Sequence, residues 1–190
     1  MWLETIKKSL DEIGMSTYFS NSYNDENEFI FKKAFKRREQ NFNTESLNSI
    51  KKNKLRTYAL FKDKSGLESY LVDIKNIYFR KQVTKFRLSD HKLRIETGRF
   101  EKLSAEVRFC PFCPDKVECE THMLLACPIY NYNRNILLNY LIEENNEFTS
   151  YSETEKLVYI MKNISQPVAK YISNCFEIRT FLLSKARRHD

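Results

Sequence analysis

The chain has 190 residues, 42% of them apolar and 30% charged, with a net charge of +7. This is the composition of a folded, soluble chain of one domain or a domain with an appendage, and it excludes extended disorder. No run approaches the roughly 20 apolar residues of a membrane span, and three Gly and four Pro are too few for the turns of an all-β fold.

Leu3, Ile6, Leu10 and Ile13 recur at helical spacing and Gly14 supplies a stop, so a first helix is predicted there, with Trp2 at its head. The same opening, "MWLETIKKSLDEIGM", lacks the apolar core and cleavage site of a secretory signal. An intracellular location, nuclear or cytoplasmic, with no membrane partner is expected. "SYNDENEFIFKKAFKRREQNF" reads as a second helix with acids at its start, where they favour the macrodipole. "NTESLNSIKKNK" is the most linker-like stretch. It separates an N-terminal helical segment, 1–52, from a basic helical domain, 53–190.

Charge is distributed unevenly. Positions 11–28 hold five acids and no Lys or Arg, 32–62 hold ten basic residues against two acids, and 75–102 hold nine against three. Two basic blocks suit a polyanion; the alternative is a pair of solvated helix faces. Between them, "SGLESYLVDI" fits a short helix capped by Ser65, with Glu68 completing a capping box.

In "NIYFRKQVTKFRLSDHKLRIETGR", Phe79, Val83 and Phe86 share one helical face. If the helix persists, Lys81, Lys85 and Lys92 form one basic stripe and Arg80, Arg87 and Arg94 another. Ser89 and Asp90 could instead cap a new helix and break both. His91 and Glu96 have no nucleophile beside them, so His91 is read as a hydrogen-bonding or phosphate-facing residue rather than a catalytic one. His189, near the C-terminus, is assigned no role.

"CPFCPDKVECETHMLLACP" holds four of the five cysteines. Cys110, Cys113, His122 and Cys127 read C-x2-C-x8-H-x4-C. A C-x2-C turn lets two thiolates face one cation, and a His and a Cys five residues apart can converge from one helical turn. Three sulfurs and an imidazole at about 2.0–2.3 Å make the closed tetrahedral set of a structural zinc site, with no open position for chemistry. One structural Zn2+ is the expected cofactor, with Arg108 and Lys116 offsetting the thiolate charge. Cys119 could replace His122 in an all-cysteine set. A redox dithiol at Cys110 and Cys113 lacks a βαβ setting. Chance clustering of ordinary cysteines is the remaining alternative.

Past the cluster, Pro128 opens a helix predicted to turn Ile129, Tyr132, Ile136, Leu137 and Tyr140 inward. Ser152 and Glu155 form a capping box ahead of Leu157, Ile160, Met161 and Ile164. Pro167 begins a last helix with Val168, Ile172, Cys175, Phe176 and Leu182 on its apolar side, which makes Cys175 a core residue. The expected fold is mainly α: an irregular helical domain with one CCHC zinc-knuckle insert.

"KLRTYALFK" at 54–62, "TKFRLSDHKLRIETGRF" at 84–100, "CPFCPDKVECETHMLLACPIY" at 110–130 and "EIRTFLL" at 177–183 resemble, in this order, the C-terminal region of reverse transcriptases from non-LTR (LINE-like) retrotransposons, downstream of the polymerase thumb. The resemblance implies a zinc knuckle ligated by Cys110, Cys113, His122 and Cys127 beside a basic helical segment that holds template RNA or target DNA. It makes 1–52 a segment following the thumb. The chain departs from a complete element in lacking a Y-x-D-D polymerase signature and a P-D…D-x-x-K nuclease arrangement. It is therefore expected not to be an enzyme, and to be a fragment, a domesticated tail or an inactive remnant.

Two functions follow from different classes. In the first, the chain binds nucleic acid, single-stranded RNA in preference to duplex DNA. Lys81, Lys85, Arg87, Lys92, Arg94 and Arg99 contact phosphates, and Phe112 or Phe109 stacks on a base. The alternative for Phe112, and the one favoured for it, is that it simply packs the knuckle. In the second, a zinc-stabilised domain docks another protein or the body of a polymerase through its apolar helices, with the helix bearing Trp2 as the surface.

Overall fold

The computed structural model describes residues 7–8, 11–12, 25–52, 55, 57–63 and 66–186. The apolar positions of the first predicted helix, Trp2, Ser65 and His189 lie outside the described residues. The chain divides into two compact units, 1–52 with 63–65, and 53–62 with 66–190.

In the first unit, helix α1 (Asp25–Lys52) runs for 28 residues and absorbs most of the stretch that reads as a linker. Neither Gly nor Pro occurs in it. Polar residues such as Asn and Thr weaken a helix by only about 0.7 kcal/mol each or less. Thr44 spends its hydroxyl on the carbonyl of Gln40, one turn back, at 2.9 Å.

The second unit is mainly α-helical. Two single-turn helices, α2 (Tyr58–Phe61) and α3 (Tyr70–Asp73), precede α4 (Ile77–Arg87) and the single turn α5 (Arg94–Thr97). A hairpin of β1 (Phe109–Cys110) and β2 (Cys113–Val117) follows, then a wide helical turn over His122–Ala126. Helices α6 (Asn131–Glu144), α7 (Glu153–Lys162) and α8 (Gln166–Ala186) complete the unit. The core gathers Val83 and Phe86 of α4, Leu137 and Leu141 of α6, Ile160 and Met161 of α7, and Val168, Ile172 and Cys175 of α8, all buried. Cys175 is a core residue, as its place on the apolar face of the last helix predicts. Ser152 and Glu155 form the expected reciprocal capping box at the start of α7.

Several local expectations are corrected. Glu68 does not cap a helix: α3 begins at Tyr70 without a side-chain cap, and the Glu68 carboxylate is taken by Lys62 and Arg87. Helix α4, capped by Asn76 through the N–H groups of Tyr78 and Phe79, stops at Arg87. Ser89 then turns left-handed at φ 55°, which breaks both extended basic stripes. Neither Ser89 nor Asp90 caps α5; the N–H of Arg94 is met at 2.6 Å by the carboxylate of Glu118, from a different element.

In α6, Tyr132 and Ile136 face outward, 81% and 60% exposed, while Arg134, Leu137 and Leu141 face inward. Pro128 begins a separate 3-10 turn over Pro128–Tyr130, so α6 itself starts at Asn131. The change of winding rotates the inward face away from the one projected from Pro128.

Candidate metal centre

The hairpin delivers the first two ligands. Cys110 and Cys113 are paired residues of β1 and β2, so the two-residue turn Pro111–Phe112 puts both on one side. The second pair comes from the wide turn. The N–H of Cys127 donates to the carbonyl of His122 at 2.7 Å, an i to i+5 bond characteristic of π-type winding. Residues five apart thereby return to the same side, which an ordinary 3.6-residue turn would not achieve.

One ligand atom from each of Cys110, Cys113, His122 and Cys127 lies within 4.8 Å of the other three, and all four residues are buried. The sulfurs of Cys113 and Cys127 are 3.6 Å apart and those of Cys110 and Cys127 are 4.0 Å apart. His122 Nε2 is buried without a hydrogen-bond partner, an arrangement native interiors avoid unless the atom serves another purpose. The four residues could hold one metal ion. Cys119, half-buried on the connection after β2, is outside this group, so the all-cysteine alternative is not assembled.

The electrostatics of the bare cluster point the same way. Hydrogen bonding from Cys127 pushes the Cys110 thiol down to about 4, helped by the His122 ring and opposed by burial. Cys127 is pushed up by its bond to Cys110 and by burial, and Cys113 is pushed up chiefly by burial. Burial and the bonds among the sulfurs thus hold Cys113 and Cys127 against ionisation. A cation at their centre would favour the thiolate form of all three.

The elements around the cluster are braced by residues that sequence reasoning missed. Arg134, buried in α6, donates its Nε to the carbonyl of Leu124 at 3.0 Å and another N–H to the carbonyl of Cys127. The Tyr171 hydroxyl, from α8, reaches the carbonyls of Met123 and Leu124 at 3.2 Å each. Together they satisfy carbonyls that the irregular winding leaves open. Glu118 and Glu120, following β2, are buried against Arg179 and His91. Only the alternation of "VECE" hints that both acids face inward; their partners are far away in sequence.

Arg108 is engaged by backbone carbonyls. Its guanidinium donates to the carbonyls of Leu103 and Ile95 and pins the loop before β1. Lys116 is exposed.

The six expected phosphate contacts separate into two groups. Lys81, Lys85 and Lys92 are exposed and form no ion pair among the described residues. Arg87 is 3% exposed, donates to the carbonyl of Met161 and to Glu68, and lies over the rings of Phe61 and Tyr70. It is an internal bracket, inaccessible to phosphate. Arg94 is paired with Glu101, and Arg99 with Glu96. Phe112 is half-buried and packs against the core, whereas Phe109 is 41% exposed. His91 is buried and bonded to Glu120, the hydrogen-bonding role read for it.

No helix among the described residues is long and apolar enough to cross a membrane. No protein-family model matches the chain, and no curated protein and no solved structure matches it.

Proposed function

We propose that this chain is a non-catalytic, zinc-stabilised module that binds nucleic acid, single-stranded RNA ahead of duplex DNA, in the manner of the region that follows the polymerase in non-LTR retrotransposon reverse transcriptases. The observation that carries the reading is the exposed strip of Lys81, Lys85 and Lys92, free of ion pairs among the described residues. Lys81 and Lys85 share a face of α4 at i, i+4 spacing. Lys85 and Lys92 border one cleft, so the lysines stay together although the helix ends between them.

Zinc is the metal this donor set favours. A tetrahedral ion bonding sulfur at about 2.3 Å separates its sulfurs by about 3.8 Å, and the observed separations of 3.6 and 4.0 Å bracket that edge. Four protein ligands close the shell, so the ion joins the hairpin to the His122–Cys127 turn and takes no part in a reaction.

The test is fluorescence anisotropy of the zinc-loaded chain with a short labelled single-stranded RNA across a salt series, with duplex DNA and Cys113→Ser in parallel. Micromolar or tighter binding that weakens linearly with log salt and is lost in Cys113→Ser supports the reading. A folded, zinc-loaded chain that binds neither nucleic acid at low salt overturns it.

A second reading, a protein-interaction domain, is favoured by one observation. An apolar groove of about 460 Å³ runs between α6 and α8, lined by Ile136, Leu137, Tyr140, Pro167 and Tyr171. Failure of the anisotropy experiment directs attention there.

A further inference from the structure

Three arginines are buried among the described residues: Arg87, Arg134 and Arg179. Arg87 is paired with Glu68 and Arg179 with Glu118, as the cost of burying a lone charge requires. Arg134, on α6 and 5% exposed, is paired with no carboxylate among the described residues. Every hydrogen bond of its guanidinium goes to a neutral group. Nε donates to the carbonyl of Leu124 at 3.0 Å, one terminal nitrogen to the Asn131 side chain at 2.6 Å, and the other to the carbonyl of Cys127. An arginine does not shed its proton to escape burial, so the anion that balances this one has to come from another kind of group.

The last of those carbonyls belongs to a candidate metal ligand and lies a few covalent bonds from its sulfur. Three thiolates and a neutral imidazole around a divalent ion carry one net negative charge, which matches the one positive charge of Arg134. The buried acids on the connection into the His122–Ala126 turn have partners of their own, Glu118 in Arg179 and Glu120 in His91. Of the two cations that the sequence offers to offset the thiolates, Arg108 is half-buried and Lys116 exposed. Water screens both of them more than it screens Arg134.

We propose that Arg134 is the fixed counter-charge of the metal centre, and that it favours a divalent ion bound by all three thiolates. A monovalent ion in the same shell leaves a negative charge uncancelled, and a trivalent one leaves Arg134 without an anion. Arg134 is not a ligand; it acts through the charge it holds beside Cys127. The proposal deepens the metal-binding reading of the four residues and rests on it.

The experiment titrates the full chain with Co2+, whose thiolate charge-transfer absorption counts the sulfurs bound as thiolates, and then displaces it with Zn2+. Arg134→Gln removes the charge and keeps a hydrogen-bonding side chain, whereas Arg134→Lys keeps the charge. Tyr171→Phe removes an uncharged donor to the carbonyls of Met123 and Leu124 on the same turn. Three bound thiolates are expected in the unaltered chain. Arg134→Gln should weaken metal binding about tenfold or more, which corresponds to about 1.4 kcal/mol. Arg134→Lys should recover most of that loss, and Tyr171→Phe should cost clearly less. Equal losses in the Gln and Lys variants, a loss in Arg134→Gln no larger than in Tyr171→Phe, or no loss at all overturns the counter-charge. Should Arg134→Gln fail to fold, the unaltered chain decides by itself: absorption from only two thiolates means a neutral centre and overturns the proposal, and absorption from three upholds it. An unaltered chain that binds neither Co2+ nor Zn2+ overturns the metal reading itself.

Discussion

Glu118 receives both Nε and a terminal nitrogen of Arg179, at 2.7 and 2.9 Å, with both side chains buried. The same carboxylate accepts the backbone N–H of Arg94 at 2.6 Å. One acid just after β2 thereby ties α8 to the start of α5. Substituting Arg179→Met strands a buried carboxylate and is expected to cost about 3–5 kcal/mol. Denaturant unfolding measures it, and adding Glu118→Gln to the same chain should restore part of the loss. Equal stability of Arg179→Met and the unaltered chain contradicts a structural role for the pair.

Gly98 is required by space rather than by backbone angle. A Cβ there would sit 2.7 and 2.9 Å from Cγ and Cδ of Arg108 and 2.9 Å from the carbonyl of Arg94. Arg108 cannot move aside without giving up its bonds to Leu103 and Ile95. Gly98→Ala should destabilise by about 1–3 kcal/mol, the usual range for overpacking. Gly66, at φ +130° in open space, should respond through backbone strain alone. Comparing the two alanine variants by thermal unfolding separates the mechanisms.

Metal removal should unfold the knuckle. Treatment with a chelator is expected to lose helical signal and near-ultraviolet structure together, and readdition of zinc to restore both. Affinity should fall as pH falls. Cys113 and Cys127, whose thiols are held above their ordinary value, must each lose a proton to bind. Each displaced proton makes the affinity change about tenfold per pH unit below the thiol range. Competition with a chromophoric chelator between pH 6 and 8 reads the slope. A pH-independent affinity is incompatible with thiolate ligation.

Salt dependence counts phosphate contacts. Single-strand binding weakens with a log–log slope of about −0.7 per phosphate neutralised, so Lys81, Lys85 and Lys92 alone give about −2, against about −4 for six contacts. Arg87→Gln should leave that slope unchanged. Its damage should be to stability, because it vacates the donor to Met161 and the cation over Phe61 and Tyr70. A slope near −4, or one flattened by Arg87→Gln, argues for a wider interface.

Features carried by near neighbours in the chain were legible from the residues alone. H-x4-C names the second pair of the cluster but needs the π-type winding to bring it to one side, whereas C-x2-C spans one tight turn, so its spacing brings that pair together. The Ser152–Glu155 box and the apolar faces of α4, α7 and α8 are local for the same reason. The phase of α6 was not legible. Its inward face depends on where the 3-10 turn after Cys127 hands over to α-winding, which Arg134 and Tyr171 support from their bonds to the preceding carbonyls.

What the sequence determined unaided is the four-residue Cys/His cluster that could hold a metal ion and the mainly helical class, because spacing names the four residues and periodicity marks the helices. What only the tertiary structure decided is which basic residues meet solvent. Arg87 and Lys85 are two positions apart and look alike in a string of charges, yet one is enclosed by Phe61, Tyr70 and Met161 while the other borders an open cleft. A cation's availability depends on the acids, carbonyls and rings that fold against it from distant positions, and no local spacing carries that information.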